Sequence, residues 1–229
     1  MKGLDLMPLV WVLLTLLVYL LSKKLYKRLK WVLTTPMIGT VTVLILLLLV
    51  FKVDFDSYNQ GGRFISFLLG PSVVALGVLF YEKFGEIRHN LGPFLLAVTL
   101  GGLGSILSVI IILALMDAPQ ELIRSLAPKS VTTPIAIEIS KSISGVPNIT
   151  AGVVIAVGVL GSTLGIYFLR TLGIRSMSAM GTALGTAAHG IGTARALEEN
   201  RLAGVYSGLA LCVNGLFTAI VLPLIINWF

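Results

Sequence analysis

The chain alternates long apolar runs with short polar breaks, and the runs show no period of two. Residues 6–21, 36–51, 64–81, 92–116, 149–169 and 202–228 are dominated by Leu, Ile, Val, Phe, Ala and Gly. Most approach the roughly 20 residues a helix needs to cross a bilayer. Continuous rather than alternating hydrophobicity predicts spanning α-helices and argues against a β-barrel. Thr35-Pro36 reads as a helix start. Gly70-Pro71 sits inside the third run and predicts a kink or break. Asn214 and Pro223 interrupt the last run. Residues 52–63, KVDFDSYNQGGR, read as a polar, turn-rich extracytoplasmic loop.

Two stretches fit neither pattern. Residues 181–195, GTALGTAAHGIGTAR, are almost all Gly, Ala and Thr, with His189 inside and Arg195 at the end. Backbone this small and polar is tolerated at membrane depth only against protein or water. Residues 128–141, PKSVTTPIAIEISK, carry Lys129, Glu138 and Lys141 around an uncharged core too short to span. If every segment spans, Arg170 and Arg175 fall outside, against the positive-inside rule. If residues 130–144 dip in and return, those arginines fall inside. The second arrangement is preferred, but whether 128–144 and 181–195 cross or re-enter stays open. Residues 70–83 align weakly with 128–141, pairing Ser72 with Ser130, and each is followed by a Gly-Ser pair in an apolar span (Gly104-Ser105, Gly161-Ser162). Paired interrupted segments point to a transporter-like inverted repeat.

Composition sharpens this. Of 229 residues 56% are hydrophobic and 12% charged, about half the charge of a soluble domain. Mean hydropathy is +0.98. The expected class is an all-α integral membrane protein: a polytopic helical bundle with broken or re-entrant helices. It is expected to form a single transmembrane domain over residues 1–229, with N-terminal spans at 1–60, as scaffold or dimerisation element, and a transport core at 61–229. The net charge of +7 is explained by topology: Lys23, Lys24, Lys27, Arg28 and Lys30 follow the first run directly, as a cytoplasmic loop does. That placement makes the first run a retained span, with an extracytoplasmic N-terminus, and removes the case for nucleic acid. The lone Cys212 allows no intrachain disulfide.

Candidate chemistry sits in the two irregular stretches. A helix broken before Pro134 leaves free N–H groups that favour an anion. Thr132 and Thr133 can add hydroxyls, and Lys129 and Ser130 stand beside them. The competing reading is a Pro-kinked helix whose Ser and Thr bond their own backbone. Around His189, Gly190 and Gly192 let the backbone unwind, and Thr193 can cap the helix that resumes. Histidine titrates near neutral pH, so His189 is a proton-coupling candidate, as is Glu138. Arg195 either snorkels to the interface or holds a carboxylate bidentately. No Cys or carboxylate cluster accompanies His189, so no metal or other cofactor is expected. The absence of a phosphate-binding loop or a nucleophile motif argues against a nucleotide-driven pump and an enzyme.

Three segments, PKSVTTPIAIEIS, GTALGTAAHGIGTARALEE and FLLGPSVVALGVLFYEK, resemble the signature stretches of the LrgB/CidB membrane protein family, in order and spacing, from about Pro36 to Pro223. Bacterial members are named antiholin-like or holin-like and tied to murein hydrolase control and lysis. The family also resembles the C-terminal part of the plant plastid glycolate/glycerate translocator, and bacterial relatives are associated with pyruvate. The resemblance implies a transporter of small monocarboxylates by alternating access, with proton coupling considered. It raises Lys129, Ser130, Thr132, Thr133, His189, Thr193 and Arg195 as substrate residues, and Ser72, Pro134, Gly190 and Gly192 complete the candidate substrate-binding set. It implies a multi-pass plasma-membrane protein, homo-oligomeric with a dimer favoured, and a small LrgA/CidA-like membrane partner. The alternative is a holin-like or antiholin-like protein that forms or regulates a pore. Gly190 stands where many members would carry alanine.

Overall fold

The computed structural model describes residues 7–29, 35–68, 71, 75, 78, 81, 82, 85 and 88–228. Ser72 and most of the leading copy of the proposed repeat lie outside them. Among the described residues the regular structure is helical throughout, and four helices are long and apolar enough to cross a membrane. The chain forms two compact units, Met1–Val78 and Leu79–Phe229.

In the first unit, α1 (Met7–Leu29) packs on α2 (Pro36–Val50) and α3 (Phe55–Phe67). Helix α3 corrects the expected loop over 52–63. Asp54 starts it: its carboxylate accepts from the Ser57 backbone N–H and hydroxyl, each at 2.8 Å. These bonds hold the Asp54 carboxyl below its ordinary pKa. The glycine that made the stretch look turn-like instead permits close packing, since a methyl on Gly61 would lie 2.6 Å from the Pro8 carbonyl oxygen. Tyr58 then meets Trp11 edge-on at 6.0 Å and the Thr15 hydroxyl at 3.1 Å.

In the second unit, α4 (Leu91–Leu115), α7 (Pro147–Thr171) and α9 (Arg201–Ile225) are the long elements. Shared cores fix their directions. Phe94 and Val98 at the start of α4 pack on Val205 and Tyr206 at the start of α9. Ile106 and Ile110 further along α4 pack with Leu222 near the end of α9. The two helices therefore run parallel. Helix α7 runs the other way: Val154 joins the Ile110–Leu222 cluster, while Ile166 joins Ala203 near the start of α9. Helix α9 is continuous through Asn214 and Pro223, correcting the expected interruption.

Between these helices the chain enters twice and turns back. After α4, a short α5 (Gln120–Leu126) leads through residues 127–132 into α6 (Thr133–Ser142). At 10 residues α6 is only about 15 Å long. The hairpin returns to the end it came from, because Ser125 is tied to the start of α7: its Oγ accepts from the Val146 N–H at 2.7 Å, and its carbonyl accepts from Thr150 Oγ1 at 2.8 Å. The second hairpin is α8 (Met177–Glu199), which breaks at Ala188 (φ −123°, ψ 15°) and His189 (φ 43°, ψ −135°). Residues before the break pair with α9 in parallel, Gly181 against Ala203 and Gly185 against Ser207. Residues after it run back, with Thr193 bonded to Ser207 and Leu197 packed on Gly204. Glu199 thus reaches Arg170 at the end of α7. The stretch 181–195 re-enters; it does not cross.

Each long helix, α4 and then α7, is followed by a re-entrant hairpin, and the two hairpins enter from opposite ends. That is the inverted-repeat plan, and α4 and α7 are the helices carrying the matched Gly104-Ser105 and Gly161-Ser162 pairs.

Candidate functional site

The two hairpin tips meet at Asn214. This side chain is 1% exposed, and its amide nitrogen donates to the Ser130 carbonyl at 3.2 Å and the Thr186 carbonyl at 3.0 Å. Both acceptors need an outside donor. Ser130 sits in the turn before α6, and Thr186 stands just ahead of the α8 break, where the helical ladder fails. Gly102 of α4 makes room, because a side chain there would collide with the Asn214 carbonyl oxygen.

Lys129 occupies the same tip. Its ammonium donates to Ser105 Oγ of α4 at 2.7 Å and to Ser130 Oγ at 3.2 Å, and these two hydroxyls bond each other at 2.8 Å. Among the described residues no carboxylate lies within ion-pairing distance of Lys129. Helix α6 begins as expected at Thr133, with Thr132 extended before it and Pro134 in its first turn, and no side chain caps it. A cleft of about 520 Å³ between α4 and α8 reaches Ser105, whose hydroxyl Lys129 contacts. Asn90, Pro93 and Ser178 flank its outer part, Thr182 its wall, and Ser105 and Thr186 its inner part. From Asn90 to Ser105 the helical rise covers about 22 Å. The Thr182 and Thr186 hydroxyls donate to carbonyls of their own helix, each at 2.8 Å, so their lone pairs remain for a guest.

The His189 group is placed differently from Lys129. The imidazole Nε2 bonds the Val154 carbonyl of α7 at 3.0 Å, and the ring fills a slot above Gly158, where a methyl would stand 2.8 Å from Cε1. The backbone unwinds at Ala188 and His189 rather than at Gly190 and Gly192. Gly192 instead permits the fold-back, since a methyl there would stand 2.6 Å from the Leu184 carbonyl oxygen. A non-glycine residue at φ 43° carries about 1–3 kcal/mol of strain, tolerated where packing over-determines it. Thr193 is no cap: its hydroxyl donates to the His189 carbonyl at 2.9 Å and shares a 2.9 Å bond with Ser207 Oγ. Arg195 pairs with Glu198 at 3.1 Å at the outer end of α8, and Glu138 pairs with Lys141 on an exposed face of α6. The structure therefore sets Lys129 and Ser130 behind the cleft wall, bonded to its inner residue Ser105, and leaves Arg195 and Glu138 paired elsewhere. Sequence reading missed Ser105, Thr182, Thr186 and Asn214 as site residues. The one available signal was their polarity within otherwise small or apolar runs.

Two opposed re-entrant hairpins meeting inside a bundle of long apolar helices define a polytopic membrane protein with a transporter-like inverted repeat. The family model of the LrgB-like family matches residues 15–228, and the chain belongs to that family. It is 36% identical over 215 residues to the uncharacterised protein YwbG of Bacillus subtilis, covering 94% of this chain and 96% of that one. It is 32% identical over 211 residues to the antiholin-like protein LrgB of Bacillus cereus, covering 92% of both chains. A Haemophilus influenzae protein is 32% identical over 212 residues, 93% of this chain and 92% of that one. No solved structure matches.

Proposed function

We propose that this protein carries small monocarboxylates across the plasma membrane by alternating access. The observation behind this reading is Lys129, held by two hydroxyls at the meeting point of two re-entrant hairpins, one of them that of Ser105 at the inner end of a cleft. One positive charge suits one carboxylate. The hydroxyls of Ser105 and Ser130, and the uncapped N–H groups opening α6, supply the remaining donors. The lone pairs of Thr182 and Thr186 suit a substrate hydroxyl. Among the described residues Arg88, Arg170, Arg175, Arg195 and Arg201 gather at the end where α4 and α8 begin. The positive-inside rule makes this the cytoplasmic end, so the cleft opens inward.

Uptake of labelled glycolate, lactate or pyruvate into proteoliposomes tests the reading. Wild-type protein should show saturable uptake. Lys129→Gln should lower it about 30-fold or more, the effect of removing one partner of a desolvated charge contact. Folded wild-type protein that moves none of these acids would refute the reading.

The name of the Bacillus cereus relatives favours a second reading, a protein that forms or regulates a pore. Size-graded dye leakage from the same vesicles, indifferent to Lys129→Gln, would select it.

A further inference from the structure

We infer that Lys129 is also the coupling group, so that each carboxylate crosses with one proton bound to the Lys129 amine. This rests on the transport reading and goes beyond it. Lys129 bonds the cleft residue Ser105, whereas the expected proton carriers, His189 and Glu138, have their partners elsewhere. His189 is committed to the Val154 carbonyl, and Glu138 to Lys141 on an exposed face.

The surroundings of Lys129 accept both its charged and its neutral form. No ionisable side chain exists on α4 between Leu91 and Leu115. Beyond Arg201, helix α9 carries Tyr206, which packs on Phe94, and Cys212, which is exposed. On α8, Arg195, Glu198 and Glu199 are paired with one another and with Arg170 of α7 at the basic end. Helix α5 contributes Glu121 and Arg124, and α7 also carries Tyr167. None of these makes an ion pair with Lys129. The two contacts it does make are hydroxyls. A serine hydroxyl accepts from an ammonium and donates to an amine equally well, so Ser105 and Ser130 solvate either state. A fixed carboxylate would have held the proton in place. Lysine titrates readily when desolvated, whereas arginine does not.

The cycle balances. On the loading side the amine takes a proton from water, and the resulting ammonium pairs with the incoming carboxylate, giving a neutral complex. On the far side the carboxylate leaves and the ammonium returns its proton to water. The empty carrier reorients as a neutral amine. Neither crossing moves net charge, which avoids the roughly 2.3 kcal/mol per charge that 100 mV of membrane potential would impose.

The test uses the full chain in proteoliposomes with labelled lactate, an internal pH dye and an imposed potassium diffusion potential. For wild type, an inward pH gradient should drive accumulation with one proton per anion, and the potential alone should drive none. Lys129→Arg fixes the charge. It should lower the ratio of gradient-driven net uptake to lactate exchange about tenfold or more, because a carrier that cannot discharge cannot return empty. Should Lys129→Arg fail to fold, the wild-type stoichiometry and its indifference to potential decide alone. Transport without proton movement, or driven by potential, overturns the proposal and leaves the transport reading standing. So does a coupling lost in His189→Gln and kept in Lys129→Arg. Folded protein that moves no carboxylate at all overturns both.

Discussion

Gly185→Leu is expected to yield no monodisperse folded protein. A methyl at Gly181 would overlap the Ala203 carbonyl oxygen, and one at Gly185 the Ser207 carbonyl oxygen. The obstacle is therefore backbone on a helix that is itself held, not a flexible side-chain end. Gly181 and Gly185, facing Ala203 and Ser207, repeat small residues at the four-residue spacing that lets membrane helices touch. Overpacking an ordinary core costs about 1–3 kcal/mol because side chains can yield. Here α8 must separate from α9, which also opens the Thr193–Ser207 bond and the Asn214–Thr186 bond. Gly104→Ala is the matched control: nothing lies within 4 Å of the position its methyl would take. Size-exclusion profiles and thermal scans in detergent check this. A Gly185→Leu protein melting beside Gly104→Ala would contradict the close α8–α9 packing.

The long helices were legible because apolar length is a local property. The runs at 92–116 and 149–169 became α4 and α7 within about two residues of their ends. The α6 start at Thr133 was legible because Pro134 dictates it. Helix α3 was not, since Gly61 and Gly62 read as turn residues until α1 is there to be packed against. The α8 break was expected but misplaced: the backbone turns at His189, where the Val154 bond and the Gly158 slot hold a conformation that propensity would have given to glycine. Arg195 and Lys129 looked alike in sequence as cations beside small residues. What separates them is whether a carboxylate lies one turn away. Glu198 and Glu199 claim Arg195, whereas the turn around Lys129 offers only hydroxyls. Ser105 and Asn214 become site residues only through partners 24 to 84 positions distant, which no local pattern encodes.

Asn214→Leu should cost more stability than any other side-chain change in α9 of similar volume. It removes the donor shared by the Ser130 and Thr186 carbonyls, and each buried acceptor left unpaired costs about 1–3 kcal/mol. At this chain length 1 kcal/mol is worth about 2–4 °C, so a fall of roughly 5–20 °C in melting temperature is expected for the pair. Asn214→Asp should be no better, because it sets a third acceptor against two carbonyls. The partnership with Gly102 offers an internal check. Gly102→Ala drives its methyl into the Asn214 carbonyl oxygen and should destabilise wild type. In an Asn214→Ala background that oxygen is gone and only the Phe217 ring, 3.2 Å from the added methyl, must yield, so the same substitution should cost much less. Contacting residues couple by about 0.5–3 kcal/mol in such cycles. A strictly additive double mutant would mean that Asn214 does not sit between α4 and the two hairpin tips. A coupled one ties the tips, and with them Lys129 and the cleft wall at Thr186, to a single buried amide.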